Sequence, residues 1–170
     1  MDRIADFEDL LRLLEQHQVR YLIIGGMAFV YHAKPRYTED MDLLVEGTPE
    51  NVANANRALA EFGSRWLMEP SRPTEVVQVG LPPHRIDLLQ EVEGLDFASA
   101  WDKKVRGRYG DVEANWIDLD SLLAVKEGID HPRHQEDARV LREVKRRSRR
   151  AAGQPTRGPS TKHENDHGQR

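Results

Sequence analysis

Residues Tyr21–Leu44 read YLIIGGMAFVYHAKPRYTEDMDLL. An apolar run closes in Gly25-Gly26, a short helix-compatible stretch follows, and two aspartates then stand two residues apart. That order predicts a strand, a tight turn into a helix, and a second strand carrying carboxylates. Val19–Ile24 is rich in β-formers and broken only by Arg20, the mark of a central strand covered on both faces. Pro35 ends the helix after His32 and pushes Lys34 toward extended backbone. From Asp40 to Glu46, alternation places Asp40, Asp42 and Leu44 on one face and Met41, Leu43 and Val45 on the other.

Upstream, Phe7, Leu10, Leu11, Leu13 and Leu14 recur at helical spacing between Asp6 and His17, which predicts an amphipathic helix. Downstream, Thr48-Pro49 is a helix start, with threonine as cap and proline at the first helical position. That helix runs to about Phe62 and stops at Gly63. Glu75–Val79 and His84–Leu89 read as strands joined by a turn, and Phe97–Lys103 as a short helix. Val105–Arg108 and Val112–Ile117 form a hairpin around Tyr109-Gly110-Asp111. Asp118 or Asp120 caps a further helix containing Leu122, Leu123 and Val125, and a last one follows Pro132. The expected fold is α/β, on the border with α+β: a mixed β-sheet flanked by helices, closing in two C-terminal helices.

A length of 170 residues suits one domain, here 1–148, with a tail over 149–170. Ala151–Arg170 is Gly, Pro, Ser, Gln and charge without apolar periodicity, so it is expected to be a disordered basic and polar tail. The chain has no cysteine, which excludes disulfides, thiolate zinc sites and cysteine nucleophiles. No apolar run approaches membrane-spanning length, and the amino terminus shows no export signal, so a cytoplasmic protein without membrane association is expected. The run KRRSRR over Lys145–Arg150 reads either as a phosphate-binding patch or as a solvated helix end.

Asp40 and Asp42 carry the sharpest chemistry. Two carboxylates aimed at one point repel unless a cation stands between them, and magnesium takes such oxygens while keeping positions for substrate phosphates. An edge strand with solvated acids explains an isolated D-x-D equally well. Gly25-Gly26 opens a helix whose free N–H groups favour phosphate; a simple tight turn reads the same way. Arg36 and Thr38 precede the acids within reach of the same cleft. Asp87 lies mid-strand in HRIDLL among Ile86, Leu88 and Leu89, where an acid needs a partner. A third metal position or a salt bridge to Arg85 or Lys126 would supply one.

Taken together, G-G, R-x-T-x-D-x-D and an isolated strand aspartate resemble the nucleotidyltransferase superfamily of the polymerase-β type. The likeness is nearest to small prokaryotic members of the abortive-infection toxin and minimal nucleotidyltransferase kind, and it covers about Val19–Leu141. It extends to His32 in the helix after the glycines, to Lys126 in the penultimate helix, and to Asp137 in HPRHQED. His134 departs from it, standing where an aspartate is more usual.

The resemblance implies transfer of a nucleoside monophosphate from a triphosphate to an acceptor hydroxyl, with release of pyrophosphate. Asp40, Asp42 and Asp87 would then be the catalytic acids, holding two magnesium ions or manganese in their place. Gly25, Gly26, Arg36, Thr38 and Lys126 would bind the nucleotide. The acceptor is left open among a transfer RNA or other RNA end, a protein side chain and a small molecule, and a toxin–antitoxin or phage-defence setting would add a cognate protein partner. The alternatives are a non-catalytic relative acting as a binding or regulatory partner, and a nucleic-acid-binding module using the basic segment.

Overall fold

A computed structural model describes residues 5–153 of the chain. The elements run α1 (Ala5–Gln16), β1 (Tyr21–Ile24), α2 (Gly25–His32), β2 (Met41–Val45), α3 (Pro49–Phe62), β3 (Val77–Leu81) and β4 (His84–Leu89). They continue with α4 (Phe97–Asp102), β5 (Val105–Tyr109), β6 (Val112–Trp116), α5 (Leu119–Gly128) and α6 (Pro132–Gly153). The six strands form one mixed sheet in the order β3-β4-β2-β1-β6-β5. The order of elements and the α/β class are those the sequence predicts.

β1 is central because all four of its side chains are apolar and buried. It pairs antiparallel with β2 and parallel with β6. β2 in turn runs parallel to β4, which pairs antiparallel with β3. α1 buries Phe7, Leu10, Leu11 and Leu14 completely, the i, i+3, i+4, i+7 stripe of its sequence. Each such side chain contributes about 1.5–3 kcal/mol when removed from water. α1 packs on α3 and β6, whereas α2 packs on β1, β2, α5 and α6. α3 starts as read, with the Thr48 hydroxyl accepting from Asn51 N–H and Pro49 at the first position, and it ends at Gly63 in left-handed geometry. Asn51, buried at the start of α3, exchanges hydrogen bonds with the Arg20 backbone and donates to the Glu46 carbonyl, tying the helix to the ends of β1 and β2.

Several boundaries differ from those expected, β3 for one lying over Val77–Leu81, and three of the differences bear on the site or the C-terminal end. α2 begins at Gly25 itself, with no intervening loop, so strand passes directly into helix. β2 begins at Met41, which leaves Asp40 just before the ladder; its first backbone partner is Ile86, opposite Met41. α6 continues to Gly153, so residues 149–153, assigned to the tail from sequence, belong to the last helix. The run of arginines and alanines there supports helix better than its charge suggested. The remainder of the expected tail, 154–170, lies outside the described residues.

The direct passage from β1 to α2 depends on Gly25, whose φ is +65°. A Cβ there would also fall inside the Asp42 carboxylate. Gly25→Ala therefore strains the backbone and expels Asp42 together. We expect it to lower stability by at least about 1–2 kcal/mol, read as a reduced urea midpoint. An unchanged midpoint would contradict this account of the turn.

Candidate active site

The parallel register of β2 and β4 sets Asp42 directly beside Asp87. On the other side of β2, Asp42 is opposite Ile24, the residue before Gly25. Two carboxylates and the first turn of α2 thus meet at one end of three neighbouring strands. Asp40 completes the group: its Oδ2 and the Asp87 carboxylate share one guanidinium, that of Arg85. The acids border an open cleft of 510 Å³, also lined by Gly25, Gly26, Arg36, Thr38, Lys126 and His134. Every residue assigned to the site from sequence is at this cleft.

Arg85 was visible only as a salt-bridge partner for Asp87. Its Nε and Nη2 donate to the two Asp87 oxygens at 2.8 and 3.0 Å, and Nη2 reaches Asp40 at 3.3 Å. This is the fork geometry that a guanidinium offers a carboxylate. Among the described residues, none makes such a bond to Asp42. Burial first, then Asp87 and Asp40, push its carboxyl up to about 6.

The cations named for nucleotide binding are also engaged. Asp137, buried near the start of α6, accepts from Arg36 at 2.5 Å and pairs with Lys126 at 3.0 Å. Arg36 also lies over the Phe29 ring, 4.4 Å from its centroid. Burial holds the Lys126 ammonium below its ordinary value, while its pairing with Asp137 works in the other direction. Lys126 Nζ also contacts His134 Nδ1 at 3.2 Å, and burial, then the Lys126 charge, lowers the His134 pKa. His134 thus shares Lys126 with the Asp137 carboxylate.

Gly26 has a second reason to lack a side chain. A Cβ there would meet the Thr38 hydroxyl and approach Arg36, so the R-x-T segment lies against the start of α2. Backbone N–H groups, a hydroxyl and a guanidinium gather there, a donor set suited to phosphate oxygens. His32, by contrast, contacts the Ile117 carbonyl at 2.6 Å and fastens the end of α2 to the end of β6. Among the tryptophans, Trp116 is fully buried and Trp101 partly so, whereas Trp66 is exposed and lies away from the cleft.

The carboxylate oxygens of Asp40, Asp42 and Asp87 are hard ligands of the type that magnesium takes. Among the described residues, however, no three acidic or imidazole groups stand close enough to grip an ion as they are placed. The positive charge between Asp40 and Asp87 is that of Arg85. The donor set fits a divalent cation in kind, and a guanidinium stands in its place.

No protein-family model matches the chain, and no curated protein matches it in sequence. Its fold does resemble solved structures. The lincosamide antibiotic adenylyltransferase LnuA, solved with lincomycin bound, superposes with a TM-score of 0.52 at 15% identity, over 85% of this chain and 99% of LnuA. ANT(2'')-Ia in complex with adenylyl-2''-tobramycin gives 0.54 at 15% identity, over 86% of this chain and 95% of its own. A solution structure of the antibiotic-resistance factor ANT(2'')-Ia gives 0.53 at 15% identity, over 87% and 92%. The chain therefore has a nucleotidyltransferase-like fold.

Asp42 makes a testable contribution to stability. Its carboxyl is pushed up to about 6 in the fold, so near pH 5 the folded chain holds a proton that the unfolded chain has released. The stabilisation is complete below about pH 4 and is lost as pH rises through about 6. A shift of about two units, discounted for partial exposure, corresponds to about 1–3 kcal/mol. In EDTA, Asp42→Asn should raise stability by that amount at pH 7.5 and leave it nearly unchanged at pH 4. An equal gain at both pH values in urea titrations would contradict the assignment.

Proposed function

We propose that this chain is a divalent-metal-dependent nucleotidyltransferase, moving a nucleoside monophosphate from a triphosphate to an acceptor hydroxyl with release of pyrophosphate. One observation carries the reading. Parallel pairing of β2 and β4 sets Asp42 beside Asp87, with Asp40 at the same guanidinium, facing the glycine-opened start of α2 across one cleft.

In the transfer, the acceptor oxygen bonds to the α-phosphorus, the bond from that phosphorus to the β-phosphate oxygen breaks, and pyrophosphate leaves. Asp40, Asp42 and Asp87 would hold the metal, which when bound neutralises phosphate charge and makes the acceptor oxygen a better nucleophile. Asp87 takes the acceptor proton. The first N–H groups of α2, at Gly25 and Gly26, meet the phosphates with the positive end of the helix. Thr38 offers a hydroxyl beside them, and Arg36 and Lys126, anchored by Asp137, hold positive charge near the place where charge develops. Because these cations are fixed before the nucleotide arrives, little reorganisation is needed, and positioning does most of the catalytic work.

The acceptor is proposed to be a small hydroxyl-bearing molecule. The three antibiotic-related structures whose fold the chain shares support testing that class first. A cognate protein partner and a toxin–antitoxin setting rest on the motif resemblance alone. Among the described residues, no helix is long and apolar enough to cross a membrane. One observation favours a non-catalytic binding protein instead: the Arg85 guanidinium already satisfies Asp87 and Asp40.

Incubation with each labelled triphosphate, magnesium, and lincosamide, aminoglycoside or RNA acceptors separates the readings. Transfer is expected from the intact chain. It should fall at least about a thousandfold in Asp40→Ala, Asp42→Ala and Asp87→Ala, as expected when electrostatic support for a phosphoryl centre is removed. Full activity in any of the three would overturn the site assignment. Replacing Arg146, Arg147, Arg149 and Arg150, all exposed, by glutamine should leave transfer to a small acceptor intact, whereas a nucleic-acid-binding module relying on that basic run would lose affinity.

A further inference from the structure

Among the described residues, Arg85 is the one cation hydrogen-bonded to any of the three site carboxylates. It projects from β4 two positions before Asp87, so both side chains leave the strand on the same face. Its fork covers both oxygens of Asp87, the atoms a metal ion would need. Its remaining reach is spent on Asp40 Oδ2 at 3.3 Å. A guanidinium forked across both oxygens and a divalent ion compete for the same lone pairs, and their like charges repel at that distance.

The other cations at the cleft are differently placed. Lys126 and the Asp137 carboxylate are each only 4% exposed, so this pair is fixed in the interior. Arg36 is held by the same Asp137 and by Phe29. Arg85 is 30% exposed and borders the open cleft, so it can leave the acids without unpacking the core. The backbone opposite it is Gly80, which adds no side chain to hold it down.

We propose that Arg85 is an internal counter-cation that a divalent ion must displace from Asp87 and Asp40, so that metal affinity is set by competition with this side chain. The inference rests on the nucleotidyl-transfer reading for the presence of a metal. While Arg85 stays, two of the three carboxylates share its single positive charge and the chain folds without an ion. When the ion enters, the guanidinium is released into the cleft, where incoming phosphates offer it a new anionic partner. Arg85 is thus a positioning residue for the site, acting through Asp87 and Asp40.

The test uses metal alone. Manganese is titrated into the full chain and into Arg85→Gln, with free ion followed by electron paramagnetic resonance. Arg85→Gln should bind manganese about tenfold more tightly, and Arg85→Lys, which cannot fork, should fall between. In the unaltered chain labelled with ¹⁵N-arginine, the Arg85 Nε–H resonance should shift when magnesium saturates the site, a response that a purely structural arginine would not show. Equal or weaker manganese binding by Arg85→Gln, or an Nε–H resonance unmoved at saturating magnesium, overturns the proposal. If Arg85→Gln fails to fold by circular dichroism, Arg85→Lys and the resonance decide. Nucleotide transfer by the unaltered chain without these signatures removes the Arg85 role alone. Absence of both transfer and manganese binding removes the metal reading with it.

Discussion

Three carboxylates brought together by strand register are the constraint around which this fold is arranged. Asp42 and Asp87 are neighbours because β2 and β4 run parallel and in step, and that step is fixed by Met41, Leu43, Ile86 and Leu88, all buried. A slip of one residue would turn this apolar set outward, so the core itself holds the acids side by side. Their repulsion must be met by a nearby cation or by a raised proton affinity, and both occur. Arg85 answers Asp87 and Asp40, while the carboxyl of Asp42 is pushed up to about 6.

The remaining site groups depend on one buried acid. Asp137, on α6, gathers Arg36 from the loop before β2 and Lys126 from α5. The segment before β2 is thereby locked, over the start of α2, to two consecutive helices far from it in sequence. Removing one member of such a buried cluster leaves charge uncompensated, which is costly, whereas the intact cluster is only modestly favourable. Its value here is geometric. Two cations are held in place without reaching the three acids, and the acids are left to Arg85 and to an incoming ion.

Much of the fold was legible because its signals are local. The Thr48-Pro49 helix start and the i, i+3, i+4 stripe of α1 are decided within a few residues and place α3 and α1 where they stand, and the glycine pair marks the end of β1, with α2 starting at Gly25 itself. Asp42 was legible for the same reason, since alternation along β2 fixes its face, whereas Asp40 lies just before the strand and joins Asp87 through Arg85. Asp87 required a partner that spacing could only leave open, and the structure supplies Arg85. What sequence could not show is pairing across long separations. The link from Arg36 to Asp137 spans 101 residues, and nothing near either residue announces it. His134 was read as a departure from an expected aspartate; its contact with Lys126 becomes visible only once α5 and α6 pack together.

The most direct measurement is diffraction at the manganese edge from crystals of the chain grown with manganese and a non-hydrolysable nucleoside triphosphate. The account predicts anomalous density among Asp40, Asp42 and Asp87, triphosphate oxygens against the N–H groups of Gly25 and Gly26, and Arg85 withdrawn from Asp87. Nucleotide bound elsewhere, or Arg85 still forked on Asp87 with no anomalous density beside the acids, would contradict it.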